Sequence, residues 1–271
     1  MASSLSISDS ASALARLYDL DMADDPGDAY LYLALAARTG GPVLEIASGS
    51  GRISLPLAMA GYDVTAVDLD PAMLARADAA LAAAGPEVRG RVTLVEADLL
   101  GLELAHGPRF GLAILALNSI LLMATRERQR EAIATMARHL RPGGIAVVDT
   151  WVPGADELTR YDGSLSLEYV RTDPVTGMVV TKTAAAQHEP ATGHVTLTAI
   201  YDEGEEGGPV RRWIRRDRLL LADGGDLATM AGNAGLVVEA ISGGYDLDPL
   251  QAHDDRAVLV ARKRGRPAPR D

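Results

Sequence analysis

A turn of small residues and an aspartate that follows it are spaced as in sites that bind a ribose. The turn is Ser48-Gly49-Ser50-Gly51-Arg52, and its glycines let the backbone approach a ligand closely because they have no Cβ and tolerate positive φ. Asp68 comes about 20 residues after the turn, the spacing at which a carboxylate grips a pair of ribose hydroxyls. These residues therefore indicate a ligand that contains a ribose.

Two strands and a helix must hold these residues in place. Val43–Ala47 is a short apolar run rich in branched side chains, typical of a buried parallel strand. Ile53–Ala60 predicts a helix whose amide groups and positive dipole end point at the glycine turn. Asp63–Val67 predicts the second strand, which ends in Asp68. Strands and helices go on alternating as far as Asp149, which predicts a parallel sheet with right-handed crossovers.

The motifs around these elements resemble those of the class I S-adenosylmethionine-dependent methyltransferases. Motif I stands as Glu45-Ile46-Ala47-Ser48-Gly49-Ser50-Gly51-Arg52, where Ser48 replaces a residue that is often Gly or Cys. The other matching segments follow in the expected order: Pro71–Leu74, Glu96–Leu99, Asn118–Ser119 and Leu140–Gly144. A Rossmann-like domain for NAD is the alternative, but its fingerprint needs a third glycine where this chain has Ser54.

The resemblance implies S-adenosyl-L-methionine as the cofactor and a role for each matching residue. Glu45 would orient the loop or meet the methionine ammonium, Asp68 would accept the ribose hydroxyls, and Asp98 would accept from the adenine amino group. The implied cofactor-binding residues are Tyr18, Tyr30, Glu45, Ser48, Gly49, Gly51, Arg52, Asp68, Leu69, Met73, Asp98, Leu99 and Asn118. Structural roles remain open beside these, such as packing for the two tyrosines, a strand-end cap for Asp68 and local backbone bonding for Asn118.

After Trp151 the hydrophobic pattern changes to a period of two, with Leu165, Leu167 and Tyr169 on one face. Turn signals divide the stretch from about Ser164 to Leu221 into an antiparallel meander of about four strands. Such an insert resembles the glycine N-methyltransferase group and the sugar-amine N-methyltransferases, where it roofs the active site. The predicted fold is therefore α/β: a Rossmann-like, seven-stranded, mostly parallel sheet flanked by helices, with an inserted antiparallel sheet after strand five.

The predicted domain bounds follow from this pattern. Residues 1–40 form an N-terminal helical cap, with a loose tail over Ser3–Ser12 and helices at Ala11–Leu20 and Ala29–Arg38. Residues 41–160 and 222–264 form the cofactor-binding domain, 161–221 the insert, and 265–271 a disordered tail. In the larger domain, strand four is predicted at Phe110–Leu117 and strand five at Ile145–Asp149.

The acceptor side of the site is less determined, and no catalytic residue is assigned. His188, His194 and Tyr245 are candidates, although a histidine at a strand end is more often a surface residue. Met123 stands where the resembling group often has a histidine. Five arginines lie around Trp213. They could recognise a carboxylate or a phosphate on a substrate, or they could belong to a solvent-exposed strand. No metal is expected, because the histidine spacing matches no metal site.

The composition limits the partners that the chain can have. Its net charge of −11 argues against a nucleic-acid surface, so we expect a small-molecule methyl acceptor rather than DNA or RNA. No apolar run approaches the 18 or so residues of a membrane helix, and no signal peptide precedes the first helix. We expect a cytoplasmic location. The sequence does not determine the oligomeric state, although edges of the inserted sheet could pair two copies in a homodimer. Methyl transfer to N or O is the leading hypothesis. A non-methylating protein on the same scaffold, either a cofactor-retaining cyclase or a binding protein, is the second, and a nicotinamide oxidoreductase is the third.

Overall fold

The computed structural model describes residues 7–104, 110–205 and 207–265. Within them the chain divides into two compact units. The smaller unit takes its residues from the first 25 positions and from Pro153–Leu221, and the larger unit comprises Pro26–Val152 and the chain after Leu221. The two N-terminal helices therefore belong to different units, α1 (Ile7–Asp21) to the smaller and α2 (Ala29–Thr39) to the larger.

The larger unit is built on a seven-stranded sheet in the order β10-β11-β5-β4-β1-β2-β3. All pairs are parallel except β10 with β11 and β11 with β5, because β11 runs against its neighbours. The strands are β1 (Val43–Ile46), β2 (Val64–Asp68), β3 (Val92–Glu96), β4 (Phe110–Leu115), β5 (Leu140–Trp151), β10 (Leu236–Ser242) and β11 (Arg256–Lys263). The chain leaves β1 first toward β2 and later toward β4, so the topological switch point lies between β1 and β4.

The central strands are buried on both faces, which explains their unbroken apolar sequences. Every residue of β1 and of β4 is buried. The helices of this unit are α2, α3 (Ser54–Met59), α4 (Pro71–Ala83), α5 (Pro86–Gly90), α6 (Arg126–His139) and α8 (Gly224–Asn233), with a 3-10 helix at Ser119–Leu122. Asp70 caps α4 by accepting from the Ala72 amide at 2.8 Å, and Pro71 occupies its first turn, as the Asp-Pro pair predicts.

The smaller unit is a four-stranded antiparallel sheet with α1 packed on it. Its elements are α1, α7 (Ala155–Arg160), β6 (Ser166–Thr172), β7 (Val179–Glu189), β8 (His194–Gly204) and β9 (Arg211–Leu220). Leu17 and Leu20 of α1 join Val180, Tyr201 and Trp213 in one apolar cluster. Polar contacts surround that cluster, since the Tyr169 and Tyr201 hydroxyls each donate to the Asp21 carboxylate at 2.6 Å.

The predicted fold class is confirmed, and the differences from the sequence analysis are local. The loose tail predicted over Ser3–Ser12 is wrong from Ile7 onward, because α1 begins there. A serine costs well under about 1 kcal/mol in a helix, so tertiary packing rather than helix propensity decides whether these residues are helical. Strand four ends at Leu115 rather than Leu117, because Leu117 has a φ of 47° that no strand accommodates. Strand five starts earlier than predicted, at Leu140, with a register shift against β4.

Two further expectations need correction. The face predicted to carry Leu165, Leu167 and Tyr169 is interrupted, because the pairing of β6 with β7 shifts register between Leu167 and Tyr169. The short helices α5 and α7 were missed, since single turns of five or six residues leave no readable period. The domain bounds drawn from the sequence stay a prediction, and the predicted tail lies outside the described residues except for Gly265.

Among the described residues, no helix has both the length and the apolar character needed to span a membrane. Residues 7–104, 110–205 and 207–265 also contain no group of three or more His, Asp or Glu side chains placed to hold a metal ion.

Candidate active site

The glycine turn leaves β1 in a left-handed backbone conformation. Ala47, Gly49 and Gly51 have φ values of 53°, 55° and 80°. The Ser48 amide donates to the Val67 carbonyl at 3.0 Å, which continues the pairing of β1 with β2 into the turn. A Cβ on Gly51 would lie 3.0 Å from the Ala77 Cβ of α4, so a larger residue would be both strained and crowded there. The turn therefore brings the backbone close to the carboxyl ends of the strands.

Asp68 ties this turn to the end of β2. Its Oδ2 accepts from the Gly49 amide at 2.7 Å, and its Oδ1 accepts from the Asp70 amide at 2.9 Å. A carboxylate offers about four lone-pair sites, so each oxygen keeps capacity for one more donor. The structural role considered from the sequence is thus realised, and it is compatible with the predicted role toward a ribose.

Glu45 lies buried beneath the turn and is held by Ser54. The Ser54 hydroxyl donates a short hydrogen bond to Glu45 Oε2. Burial raises the pKa of Glu45 to about 7, while the Ser54 hydrogen bond and the Arg52 charge act in the opposite direction. Arg52 itself binds Asp28 in a bidentate pair, with contacts of 2.6 and 2.7 Å, and Asp28 is fully buried. The start of α2 is thereby fastened to the glycine turn.

The raised pKa of Glu45 predicts a stability that falls with rising pH. The unfolded chain releases this proton near pH 4.5 and the folded chain near 7, so the free energy of unfolding declines between these values and is level above them. Replacing Glu45 with glutamine removes that decline. Between pH 4.5 and pH 8, we expect the free energy of unfolding of Glu45→Gln to rise relative to that of the wild type by about 3 kcal/mol, which is the upper value that linkage gives. Urea unfolding at the two pH values measures the difference, and a constant gap would contradict it.

The residues predicted to surround the adenine lie at the ends of β2 and β3. Leu69 follows Asp68 and is 65% exposed. Met73 is half-buried in the first turn of α4. Asp98 is exposed and its Oδ1 accepts from the Leu100 amide at 2.9 Å, while Leu99 is buried. All four therefore lie on the β2–β3 side of the switch point, and their contact with an adenine stays a prediction.

Asn118 begins the segment after β4 and lies on the other side of the switch point. It has a φ of 64° and follows Leu117, which is also left-handed. Its Oδ1 accepts from the Trp151 amide at 2.5 Å, so this side chain bonds the end of β5. The bonded backbone is therefore that of a neighbouring strand, 33 positions away in the chain, and the predicted contact of Asn118 with the cofactor stays a prediction.

Asp149 is the main residue of this region that the sequence analysis missed. It is fully buried at the carboxyl-terminal part of β5 and accepts from Tyr32, the Leu117 amide, Tyr245 and Arg256. Burial raises its pKa, and the Tyr32 hydrogen bond and the Arg256 charge oppose that rise. The available signal was a lone carboxylate ending an apolar strand next to the switch point, which is where ligands bind in such sheets.

The predicted tyrosines have different surroundings. Tyr30 is 79% exposed, whereas Tyr32, two residues further, is buried and donates to Asp149 at 2.7 Å. Residues two apart lie on nearly opposite sides of a helix, so only one of the two can face the core. Tyr245 donates to the same carboxylate at 3.1 Å, and burial together with Asp149 raises its pKa. Its phenol is therefore protonated at neutral pH, which disfavours a role as a base.

The remaining candidates belong to the smaller unit. Tyr18 is half-buried on α1. His188 and His194 lie on either side of the β7–β8 hairpin, where His188 faces Val195 in the register and His194 faces Glu189. His194 Nδ1 lies 2.9 Å from the Thr192 hydroxyl. Within this unit both histidines are half-buried hairpin residues, and their assignment as bases stays a prediction.

The residues at the strand ends fit an adenosyl cofactor. The turn offers left-handed backbone that approaches closely, and Asp68 retains acceptor capacity beside it. The Ser48 hydroxyl is buried and has no hydrogen-bond partner within the described part of the chain, which is the state expected of a group that a ligand satisfies. S-adenosylmethionine would be held by these groups, and it supplies an activated methyl group on sulfur.

A family described as a methyltransferase domain matches residues 43–144 of the chain. This span begins at β1 and includes the glycine turn, Asp68, Asp98 and Asn118, but it ends before Asp149. An uncharacterised protein of Mycobacterium tuberculosis is 39% identical over 116 residues, which are 43% of this chain and 39% of that protein. The chain thus spans well under half the length of the first curated relatives that it matches.

Two longer matches are to proteins of Streptomyces. The dTDP-3-amino-3,4,6-trideoxy-alpha-D-glucopyranose N,N-dimethyltransferase of Streptomyces venezuelae is 28% identical over 204 residues, covering 74% of this chain and 78% of that protein. The cypemycin N-terminal methyltransferase of a Streptomyces species is 27% identical over 229 residues, covering 83% of this chain and 84% of that protein.

Solved structures show the same fold. The CcbJ methyltransferase from Streptomyces caelestis has a TM-score of 0.74 and 25% identity, covering 90% of this chain and 96% of that chain. An S-adenosylmethionine-dependent methyltransferase from Clostridium acetobutylicum has a TM-score of 0.76 and 15% identity, covering 93% and 98%. The predicted fold is confirmed, and a methyltransferase domain family matches the part of the chain that carries the predicted motifs. Residues 43–144 therefore match a methyltransferase domain family, and the chain has the class I methyltransferase fold.

Proposed function

We propose that the whole chain transfers a methyl group from S-adenosylmethionine to a nitrogen atom of a small amine, with amino sugars as the first class to test. The observation that carries the cofactor side is the 2.7 Å hydrogen bond between the Gly49 amide and Asp68, which ties the glycine turn to the end of β2. The nitrogen acceptor is inferred from the two longer relatives, whose names both describe methylation of an amine.

The chain's residues have mainly to hold and orient the reactants, because the methyl group on a sulfonium is already activated. Asp68 and the backbone of the glycine turn would fix the ribose side. Leu69 and Met73 would cover the adenine, and Leu69 is exposed as such a cover requires. The segment after β4 would face the methionine side. A neutral amine is itself a nucleophile, so this assignment needs no dedicated base.

A panel of acceptors tests the proposal. The full-length protein is incubated with S-adenosylmethionine and with pairs of sugars that differ only in carrying an amino or a hydroxyl group at one carbon. We expect S-adenosylhomocysteine and a methylated product with amino members only, and a rate that follows the neutral amine fraction as pH rises. Methylation of the hydroxyl members alone would overturn the nitrogen assignment. Bound cofactor with no turnover on any amine would favour a non-methylating protein instead.

Three further expectations from the sequence stay predictions: the roofing of the active site by the insert, a cytoplasmic location and a homodimer. The dimer is open to direct measurement by sedimentation equilibrium of the full-length protein. A single species of twice the 28.5 kDa chain mass is expected, and a monomer at all concentrations would contradict it.

A further inference from the structure

We infer that Asp149 is a positioning residue for the methionine part of the cofactor and that it acts through the turn at Leu117 and Asn118. The inference rests on the proposed function, and it assigns a role to a residue outside the span that matches the methyltransferase domain family. Asp149 brings together the ends of β4 and β5, the helix α2, the segment after β10 and the start of β11.

The carboxylate of Asp149 is saturated with donors. Its Oδ1 accepts from the Tyr32 hydroxyl at 2.7 Å and from the Leu117 amide at 2.8 Å. Its Oδ2 accepts from the Tyr245 hydroxyl at 3.1 Å and from Arg256 Nη1 at 2.8 Å. These four bonds use the lone-pair sites that a carboxylate offers. Asp149 therefore has no capacity left for a ligand and must act through the groups that it holds.

The group held most directly is a strained turn. Leu117 and Asn118 have φ values of 47° and 64°, and two consecutive left-handed residues without glycine are rare. Each such residue costs about 1 to 2 kcal/mol, so the conformation persists only where surrounding bonds impose it. Three hydrogen bonds to β5 impose this conformation. The Asp149 carboxylate accepts from the Leu117 amide, and the Asp149 carbonyl accepts from the Asn118 amide at 3.3 Å. The Trp151 amide donates to the Asn118 side chain.

The position of this turn in the sheet indicates which part of the cofactor it serves. β1 lies between β4 and β2, so the ends of β4 and β5 lie on the side of the glycine turn opposite Asp68 and Asp98. A cofactor whose adenosine lies over β2 and β3 must extend its methionine part toward β4 and β5. A loosened Leu117–Asn118 turn would therefore weaken recognition of the methionine part and leave the adenosine part unaffected.

The test compares two ligands that share the adenosine and differ in the amino acid part. S-adenosylhomocysteine carries the homocysteine group, and 5′-methylthioadenosine lacks it. We expect Asp149→Asn to weaken the affinity for S-adenosylhomocysteine by about tenfold or more, because a hydrogen bond to a charged group is lost. The affinity for 5′-methylthioadenosine should change by less than about threefold. Isothermal titration of the full-length protein measures both affinities. Glu239→Gln is the matched control, because Glu239 is an ion-paired carboxylate of the same unit that bonds Arg38 and Arg262 away from the turn.

Leu117→Gly provides a second test by rescue. Glycine adopts positive φ without strain, so the turn no longer needs Asp149 to impose its conformation. In the double variant we expect Asp149→Asn to lose most of its selective effect relative to Leu117→Gly alone. If Asp149→Asn does not fold, Tyr245→Phe removes one bond to the same carboxylate, and a smaller selective loss is expected. If Asp149→Asn weakens the affinity for both ligands equally, or for neither, the inference is overturned. A wild-type protein that binds neither ligand instead refutes the proposed function.

Discussion

Asp68→Ala is expected to remove most of the rise in melting temperature that S-adenosylmethionine gives to the wild-type protein. The wild type gains about 2.7 kcal/mol when the cofactor is present at 100 times its dissociation constant. The alanine variant loses the acceptor for the ribose hydroxyls and also the bond that holds the Gly49 amide. The two bonds from the ribose hydroxyls to this charged acceptor, each worth about 1.5 to 3 kcal/mol, exceed the whole of that gain.

Thermal unfolding with and without the cofactor measures this effect, and Asp63→Ala is the matched control. Asp63 precedes β2 at the opposite end of the same strand, and its side chain is 77% exposed beside Arg91. The control should keep the full cofactor shift. A shift of undiminished size in Asp68→Ala would place the cofactor elsewhere on the chain.

Arg16→Leu is expected to destabilise the smaller unit by about 3 to 5 kcal/mol, because it removes the cation that is paired with two buried carboxylates. Arg16 lies on α1, contacts Asp173 closely and donates to Glu203 at 2.6 Å. The side chains of Asp173 and Glu203 are 2% and 4% exposed. Glu203 also accepts from the Trp213 indole at 3.0 Å, which leaves it only partly satisfied once Arg16 is removed.

Hydrogen exchange of the β7–β9 amides measures this loss within the smaller unit alone. Arg212→Leu is the control, since Arg212 bonds Asp202 in an ion pair whose arginine is 60% exposed. Exposed pairs of this kind contribute about 1 kcal/mol or less. Similar protection in the two variants would show that the Arg16 network does not hold α1 to the sheet.

The mostly parallel character of the larger sheet was predictable because each central strand is a short apolar run followed by a turn. Buried parallel strands leave that pattern, and β1 and β4 are buried throughout. The glycine turn was predictable for a different reason, since positive φ at Gly49 and Gly51 restricts which residues fit. Both features depend on residues close together in the chain.

The partners of the polar side chains were not predictable in the same way. Asp149 receives bonds from Tyr32 and Tyr245, which are 117 and 96 positions away in the chain. No local pattern specifies which of several tyrosines reaches a given carboxylate, so the sequence does not single out Tyr32. The left-handed Leu117 was missed for a related reason, because its conformation is imposed by β5 rather than by its own sequence.

The packing of α1 on the four-stranded sheet has a consequence during synthesis on the ribosome. Arg16 and Glu203 are separated by 187 positions. At elongation rates of about 5 to 20 residues per second, the helix waits on the order of ten to forty seconds for its partner strands. Through that interval Leu17 and Leu20 lack their apolar neighbours, so the nascent chain offers a hydrophobic segment that chaperones would shield.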